Sequence, residues 1–492
     1  MLVAAGALAF TALLLVYIYY KDAHRYWERR GVATFEPRFP FGNVFTIVFR
    51  KNSINDKVCE LYRTMKAAGH RYAGLYFFSR KVLVILDPQL VKCVLSKDFS
   101  YFNDRGIHYD EINDPLSAHL FSLSGGKWKT LRTKLTPAFT AGKTKFMFEP
   151  MLHCTEQMAT VIGEQLAISS TVEIKDILAR FTTDVIGCCA FGIDCNSLSN
   201  PDAEFRRMGR RAFTQTPMDT LKMVVIRSFP QLAKIFQLGV FAKSVSDFFQ
   251  SVVEDTVRYR KDNSVERNDF LQLLMQMMSK EGAEALTMNE AAAQAFIFFL
   301  AGFETTSTTI SFALMEMSMN PTIRNQARSE LLRVLEEHDN KITYETVSDL
   351  RYMESIVLES LRKYPPAPVF LRKCTKSYKI PDSDVIIEEG LSVLIPAMAL
   401  HMDPEYHPDP EIFDPNRFAN KLKDYAYIPF GDGPRICIGM RFAMVLAKLA
   451  LAVILQRFDF ELSAKTKLPL EMEKKGIVLA PIGGIWLEFS AA

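Results

Sequence analysis

The sequence predicts a mainly α-helical protein with a minor β portion, and three observations support this fold class. From about residue 127 to residue 360, apolar residues recur mostly with the spacing of helices. Residues 72–86 contain a β-like run bounded by turn signals and are predicted to form a small hairpin. Further strand-like runs return towards the C-terminal end, at residues 378–380, 392–395 and 485–489.

The first twenty residues contain no charged side chain, and this length is about enough to span a bilayer. Basic residues follow the run, at Lys21, Arg25, Arg29 and Arg30. No basic residue precedes it, so the positive-inside rule places the N-terminus in the lumen and the remaining chain in the cytosol. A cleaved secretory signal is the alternative, but such signals usually have a charged start and a shorter apolar core.

These features predict three parts of the chain. Residues 1–20 form an uncleaved transmembrane signal anchor, and residues 21–45 form a basic flank with a Pro/Gly hinge. Residues 46–492 form a single domain, because the 492-residue chain shows no internal repeat and no obvious linker.

Charge and cysteine usage exclude several protein classes. The net charge of +3 argues against a nucleic-acid-binding protein. The eight cysteines show no repeated spacing and no C-x-x-C pair, so zinc ribbons and thioredoxin-like chemistry are not supported. The absence of Asn-x-Ser/Thr sites agrees with a chain that faces the reducing cytosol.

A long helix is predicted to begin after Thr287. Thr287 and Glu290 have the spacing of a capping box. The helix should run for roughly thirty residues to Pro321, because proline stops a helix. Its middle, residues 301–306, is a poor helix centre, with a glycine, two threonines and the acid Glu304. Such local conflicts often mark a functional site, although an exposed polar helix face is the alternative.

Residues 430–439 form a Gly/Pro-rich loop that contains one cysteine, Cys437, just before another strongly apolar helix. The N–H groups and the dipole at a helix N-terminus favour a thiolate over a thiol. Arg435 can meet an anion there. A thiolate on an open turn, without a second cysteine, suits an axial haem ligand. The alternative for a lone cysteine is a buried structural residue.

These ten residues resemble the haem-thiolate signature of the cytochrome P-450 superfamily, Phe-x-x-Gly-x-Arg-x-Cys-x-Gly, at every fixed position. The resemblance extends over nearly the whole chain and is strongest to microsomal insect members that handle xenobiotics, on residues 39–42 and 135–143. It implies a long central helix over the haem with small β sheets. It also implies a monooxygenase that inserts one oxygen atom from O2 into a lipophilic small molecule.

The resemblance assigns residues to the cofactor and to the chemistry. Cys437 is the metal ligand, Glu304 is the acid, and Thr305 relays protons beside a turn opened at Ala301 and Gly302. The remaining haem contacts come from a Trp-x-x-x-Arg element, two further arginines and the signature loop: Trp128, Arg132, Arg372, Arg435, Phe430, Gly439 and Ala301.

Two further groups of residues follow from the same resemblance. Glu359, Arg362 and Arg417 match the family's buried structural network, in which forked arginine–carboxylate bonds fix the cysteine loop. The substrate pocket is expected to be lined by mostly apolar residues: Phe121, Phe296, Ala301, Val369, Leu371 and Leu479.

The chain offers no dinucleotide fingerprint, so electrons must come from another protein. The resemblance implies haem b, NADPH used indirectly through NADPH-cytochrome P-450 reductase, cytochrome b5 as an optional partner, and the cytosolic face of the endoplasmic reticulum membrane. A basic docking face is proposed for the electron donor, formed by Lys127, Lys129, Lys134, Lys143, Lys145, Lys421 and Lys423, although a solvated mixed surface is equally compatible.

Two alternative functions remain open at the level of sequence. A haem-thiolate isomerase or dehydratase would need no electron donor, and it would typically lack the acid–alcohol pair Glu304 and Thr305. A non-catalytic haem-binding sensor would keep Cys437 and could dispense with that pair. Residues 229–236 carry apolar side chains that either end a core helix or contact the membrane beside the anchor.

Overall fold

The computed structural model describes residues 2–49, 51–214, 216–228, 230–282, 285–419, 425–474, 476 and 478–492. Its helices are α1 Leu2–Ala23, α2 Phe45–Val48, α3 Ile54–Ala67, α4 Pro88–Lys92, α5 Gly125–Leu135, α6 Ala141–Phe146, α7 Phe148–Leu166, α8 Ile174–Ile186, α9 Glu204–Phe213, α10 Pro217–Ser228, α11 Pro230–Ile235, α12 Lys243–Asp262, α13 Phe270–Met278, α14 Met288–Met319, α15 Pro321–Glu337, α16 Tyr344–Asp349, α17 Arg351–Lys363, α18 Ala397–His401 and α19 Met440–Arg457. Its strands are β1 Tyr72–Phe77, β2 Arg80–Ile85, β3 Thr171–Glu173, β4 Phe370–Lys373, β5 Tyr378–Lys379, β6 Ile386–Ile387, β7 Ser392–Ile395, β8 Phe458–Leu462 and β9 Trp486–Ala491. The predicted fold class, mainly α with small β sheets, is confirmed.

The chain divides into two compact units. The first unit contains Met1–Gly106, Ala367–Glu411 and Leu422–Ile436. It holds a four-stranded sheet in the order β1-β2-β7-β4 and the two-stranded sheet β5-β6. Strands β1 and β2 pair antiparallel with Tyr72 opposite Ile85, which confirms the predicted hairpin.

The second unit contains Ile107–Pro366, Ile412–Lys421 and Cys437–Ala492 and is built around α14. Helices α8, α12, α17 and α19 pack against α14, and most of its side chains are buried. A three-stranded sheet in the order β3-β9-β8 lies in the same unit. The prediction of a single domain over residues 46–492 stays a prediction.

Local signals place the ends of α14 where the sequence predicts them. The Thr287 side chain accepts a hydrogen bond from the Glu290 amide at 3.2 Å, and the Glu290 carboxylate accepts one from the Thr287 amide at 2.8 Å. The helix ends at Met319, before Asn320 and Pro321. Capping box and proline therefore act as predicted.

Among the residues that the structure describes, two helices are long and apolar enough to cross a membrane. One is the N-terminal helix, whose apolar window is fully exposed, and the other is α14, whose window is 67% buried within its unit. Burial identifies α14 as a core helix, because its apolar side chains already have protein partners. The N-terminal helix α1 lacks such cover over most of its length.

Candidate active site

Cys437 lies three residues before α19, at an open position. Gly439 is the N-cap residue of α19, and a side chain added there would meet no atom within 4 Å. All eight cysteines fall within the described residues, and Cys437 alone among them is exposed. An accessible sulfur at a helix N-terminus is the setting that favours a thiolate ligand.

The part of the loop that precedes the cysteine is rigid and belongs to the first unit. Gly433 adopts a positive φ of 68°, and a side chain there would come within 1.9 Å of the Leu95 carbonyl oxygen. Arg435 is 2% exposed, and its Nε donates a hydrogen bond to the Asn103 carbonyl at 2.6 Å. Glycine is therefore required at position 433. Arg435 fastens the loop to the segment that contains Asn103.

Ala301 and Thr305 occupy the same face of α14, one turn apart. Ala301 is exposed and Thr305 is partly exposed, whereas residues 306–318 are buried. The Thr305 hydroxyl donates to the Ala301 carbonyl at 2.6 Å. The helix stays α-helical through Ala301 and Gly302, and the opened turn expected at these two residues stays a prediction.

Glu304 has a partner that sequence reasoning missed. Its Oε1 lies 2.8 Å from the Nζ of Lys175 on α8, and both side chains are less than one-fifth exposed. The Thr182 hydroxyl donates to the Phe303 carbonyl at 2.8 Å and fastens α8 to the same turn of α14. No local motif marks Lys175, because this contact joins positions 129 residues apart.

Trp128 and Arg132 lie one turn apart on α5, as predicted. Trp128 is buried at 5% exposure, and Arg132 is partly buried. Burial lowers the pKa of Arg132, whereas the negative charge of a Cys437 thiolate raises it. Both residues belong to the second unit.

Arg372 on β4 is a buried cation in the first unit. The side chain is 2% exposed, and its Nη1 donates to the Leu371 carbonyl at 2.9 Å. Among the residues that the structure describes, its Nε has no hydrogen-bond partner. Burial lowers the pKa of Arg372 to about 10. A buried guanidinium without a carboxylate is costly, and an incoming carboxylate, such as a haem propionate, would satisfy it.

Glu359, Arg362 and Arg417 form the predicted network. The Arg362 Nε and Nη2 donate to the two Glu359 oxygens at 2.7 and 2.8 Å, and the Arg417 Nε reaches Oε1 at 3.3 Å. The Asp414 amide donates to the same Oε1 at 2.9 Å. Glu359 and Arg362 are fully buried, so every charge depends on its partner.

The predicted pocket residues differ in exposure. Phe121 is 48% exposed, and the preceding Leu120 amide donates to the Gln294 Oε1 on α14 at 2.9 Å. Phe296 is fully buried in its unit, because the rings of Phe241 and Phe249 lie 4.8 and 4.9 Å from it.

The other pocket predictions fall in both units. Leu479 is buried and its amide donates to the Pro366 carbonyl at 3.2 Å. Val369 is partly exposed, and Leu371 is 39% exposed in the first unit.

A segment that sequence reasoning did not assign holds Phe241 in place. The buried Asp114 carboxylate accepts a hydrogen bond from the Val240 amide at 2.6 Å. Burial raises the pKa of Asp114, and this amide bond opposes the rise. Asp114 therefore positions the ring that covers Phe296.

Comparisons with known proteins identify the relatives of this chain. The family model described as cytochrome P450 matches residues 34–487. "Probable cytochrome P450 6a13" of Drosophila melanogaster is 41% identical over 98% of this chain and 97% of its own length. "Cytochrome P450 6a2" of the same fly is 40% identical over 96% of each chain, and "Cytochrome P450 6a8" is 39% identical over 98% of this chain and 97% of its own.

Proposed function

The chain belongs to the cytochrome P450 family and is a P450 monooxygenase, and from that premise we propose that it is membrane-anchored and oxidises lipophilic small molecules, including xenobiotics. The observation that carries this proposal is the exposed Cys437 thiol at the N-terminus of α19. Similarity to insect relatives agrees with it, as does the acid–hydroxyl pair Glu304 and Thr305.

The residues fit a haem group, which we propose to be haem b. Cys437 would hold the iron, and Trp128 and Arg132 would contact the porphyrin near that sulfur. Arg372 and Arg435 would bind propionates through forked hydrogen bonds that lysine cannot reproduce. Phe430, Gly439 and Ala301 would lie beside the porphyrin ring and leave room for its flat faces. The bound haem supplies the oxygen chemistry, and the protein supplies the ligand, the proton path and the pocket.

Thr305 and Glu304 are proposed to deliver protons. The Thr305 hydroxyl lies on the exposed face of α14 and can exchange its bond to Ala301 for a bond to a reacting oxygen. Glu304 is held by Lys175 at 2.8 Å, so it must leave that ion pair, or pass protons through water, to serve Thr305. Lys175 thereby determines the position of the Glu304 carboxylate between catalytic turnovers.

We expect Thr305→Val to lower the product formed per electron consumed by about 10²-fold, the lower range for a positioned proton-transfer group. Valine keeps the volume and removes only the hydroxyl. The measurement is product and hydrogen peroxide per NADPH oxidised in the presence of a reductase. Thr305→Ser is the matched control and should keep most of the coupling. Unchanged coupling in the valine variant would remove Thr305 from the proton path.

Arg372→Met should have different effects on the haem-free chain, where it changes stability, and on the haem-loaded chain, where it changes haem binding. In the haem-free chain it removes a buried cation without a carboxylate, so the free energy of unfolding should stay equal or rise by about 1 kcal/mol. In the haem-loaded chain it removes a propionate partner, so haem should transfer faster to apomyoglobin. The two measurements are denaturant unfolding and haem-transfer kinetics. Equal rates of haem transfer from the Arg372→Met chain and from the unsubstituted chain would contradict the role of Arg372 as a propionate partner.

The proposed substrate is lipophilic because aromatic side chains are concentrated along α14. Phe296 is covered by Phe241 and Phe249, and Phe121 is exposed at the end of the loop tied to Gln294. An apolar site of this kind favours molecules with few polar groups. Val369, Leu371 and Leu479 are proposed as further lining residues.

The proposed location is the endoplasmic reticulum membrane, with α1 as the anchor and the catalytic chain on the cytosolic face. Helix α1 is 22 residues long, and its apolar window is exposed. Ile235 and Phe236 are 72% and 68% exposed, which supports a second contact near residues 229–236. Phe229 lies outside the described residues.

Electrons are proposed to come from NADPH through NADPH-cytochrome P-450 reductase, with cytochrome b5 as an optional partner. Exposed lysines on α5 and α6 support a basic docking face. Two of these lysines form ion pairs. The Lys127 Nζ lies 2.7 Å from the Glu111 Oε1, and the Lys145 ammonium contacts the Glu345 carboxylate. Lys421 and Lys423 lie outside the described residues.

The experiment that tests the proposed function uses the purified full chain in lipid. The reduced protein should give the carbon monoxide spectrum of a thiolate-ligated haem, and it should consume oxygen when reductase, NADPH and a lipophilic ligand are supplied. An isomerase or dehydratase would convert substrate without oxygen uptake. A sensor would bind ligand and show neither conversion nor ligand-dependent oxygen uptake. Either result would overturn the proposal.

A further inference from the structure

Two cysteines of the second unit place their sulfur atoms in contact. The Cys154 Sγ on α7 lies 4.0 Å from the Cys188 Sγ, although 34 positions separate the two residues. The Cys154 thiol donates to the Cys188 sulfur, a weak hydrogen bond that orients the two thiols. All eight cysteines are free, so the contact joins two reduced sulfurs.

The turn that carries Cys188 is held in place by buried charges. Residues Gly187–Phe191 form a π-helical turn after α8, and such turns are frequent at functional sites. The Arg260 Nη2 donates to the Phe191 carbonyl at 3.0 Å, and the same nitrogen lies 2.5 Å from the Asp269 carboxylate. Helix α7 packs against α8 and against this turn. The two sulfurs are therefore brought together by packed helices.

The two thiols differ in their access to solvent. Cys154 is 1% exposed, whereas Cys188 is partly exposed. The Cys188 thiol donates to the Asp194 Oδ1 at 3.4 Å, and Asp194 is exposed. A small oxidant can thus reach Cys188, and the Asp194 carboxylate can accept the proton that a thiol must lose before it reacts.

The buried partner is suited to react second. The hydrogen bond to Cys188 and burial raise the pKa of the Cys154 thiol. A protonated and buried thiol is a poor first target for an oxidant. Its sulfur nevertheless contacts the sulfur that would be oxidised first, so it can attack that atom without a change in the packing of the helices.

The neighbouring cysteines are not placed to compete for the same reaction. Cys189 is 1% exposed, and its thiol lies 3.9 Å from the Met147 carbonyl oxygen. Consecutive residues of a helix do not face each other, so Cys189 points away from the Cys188 sulfur. Cys195 is buried, and its thiol lies 4.0 Å from the Ile193 carbonyl oxygen. Burial raises the pKa of both thiols, which leaves Cys188 as the reactive thiol of this region.

We propose that Cys154 and Cys188 form a redox-sensitive site, at which hydrogen peroxide converts the two thiols to a reversible disulfide. The deprotonated Cys188 sulfur attacks one peroxide oxygen, the O–O bond breaks, and the other oxygen leaves as hydroxide, which regains the proton to form water. The Cys154 sulfur then attacks the sulfenic acid on Cys188, the S–O bond breaks, and the oxygen leaves with the Cys154 proton as a second water. Each sulfur loses one electron, and these two electrons reduce the peroxide.

The bond requires only a small approach of the two sulfurs. Sulfur atoms in a disulfide lie roughly 2.0 Å apart, and 4.0 Å separates the two sulfurs in the reduced chain. A rotation of the partly exposed Cys188 side chain can close this gap. Hydrogen peroxide is the oxidant that a monooxygenase releases when it consumes electrons without forming product, but the site responds to peroxide from any source.

The test uses the purified full chain, loaded with haem, in lipid, with imidazole as an iron ligand so that the haem does not consume the peroxide. The chain is treated with a small molar excess of hydrogen peroxide, unfolded in iodoacetamide and digested for mass spectrometry. A peptide that links Cys154 to Cys188 should appear, the alkylated forms of both cysteines should be lost, and dithiothreitol should restore them. Haem spectra recorded before and after treatment check that the fold is kept.

Substitutions separate the roles of the two thiols. Cys154→Ser removes the second thiol, so the oxidised Cys188 should remain as a sulfenic acid that dimedone traps. Cys195→Ser is the matched control, and it should form the same linked peptide as the unsubstituted chain.

The unsubstituted chain alone can overturn the proposal, so a variant that fails to fold does not weaken the test. Dimedone that traps Cys188 without a link to Cys154 would overturn it, because the two sulfurs would then not meet. A link between other cysteines, or between two chains, would also overturn it. Peroxide that leaves both thiols open to alkylation would do the same.

Discussion

The Cys437→Ala chain should lose monooxygenase activity by at least about 10³-fold, because the iron requires a strong axial donor to cleave oxygen. Any haem that it retains should give a carbon monoxide spectrum without thiolate character. Cys437 is the exposed cysteine at the N-terminus of α19, and residues 430–457 contain no second cysteine. The measurements are the spectrum of the reduced carbonyl form and the rate of product formation with reductase.

Cys188→Ala is the matched control for that experiment. Cys188 is partly buried, and its sulfur lies 3.4 Å from an Asp194 oxygen. Its replacement removes a thiol elsewhere in the second unit and should leave both the spectrum and the rate unchanged. A Cys437→Ala chain that kept the thiolate-type spectrum would refute the ligand assignment.

Glu359→Gln should lower the free energy of unfolding by about 3–5 kcal/mol, the cost of leaving a buried charge without its partner. Glu359 accepts bonds from Arg362, Arg417 and the Asp414 amide, and its side chain has no exposed surface. Its loss removes the carboxylate that accepts two hydrogen bonds from the buried Arg362 guanidinium. The chain should also bind less haem, because the network fixes residues 412–417 on α17. Denaturant unfolding and haem content per chain measure the two effects.

Glu337→Gln is the control for the network. Glu337 pairs with Arg333 at 2.5 Å on α15, but both side chains are more than half exposed. The same substitution at position 337 should lower the free energy of unfolding by less than about 0.5 kcal/mol, since water replaces the lost partner. Equal losses in the two variants would show that Glu359 behaves as an ordinary surface charge.

Features encoded by neighbouring residues were predictable from the sequence. The capping box at Thr287 and the proline at 321 place both ends of α14. The hairpin of β1 and β2 and the strand β7 appear where alternating or β-branched runs predict them. Each of these signals acts within a few residues, so a single sequence is enough to detect it.

Features that depend on distant residues were not predictable. Lys175 meets Glu304 across 129 positions, and Asp114 meets Val240 across 126 positions. No spacing in the sequence marks either pair, because the contact exists only after helices and loops have packed. The burial of Arg372 was invisible for the same reason, although the family resemblance had already assigned this arginine to the haem.

Residues 301–306 show how packing supports a segment that local propensity disfavours. Glycine and threonines at residues 301–306 weaken a helix in isolation. In the folded chain α8 packs along α14, and the Thr182 hydroxyl bonds to the Phe303 carbonyl at 2.8 Å. Tertiary contacts therefore support the helix at residues where propensity alone would weaken it.

The most direct test of the central claim supplies isotopically heavy dioxygen to the full chain in lipid, with reductase, NADPH and a lipophilic compound that shifts the haem spectrum. Mass spectrometry of the product should find one heavy oxygen atom per product molecule, with the other atom in water. Thr305→Val should yield far less labelled product for the same NADPH. Product that forms without label, or in the absence of oxygen, would contradict the assignment of this chain as a monooxygenase.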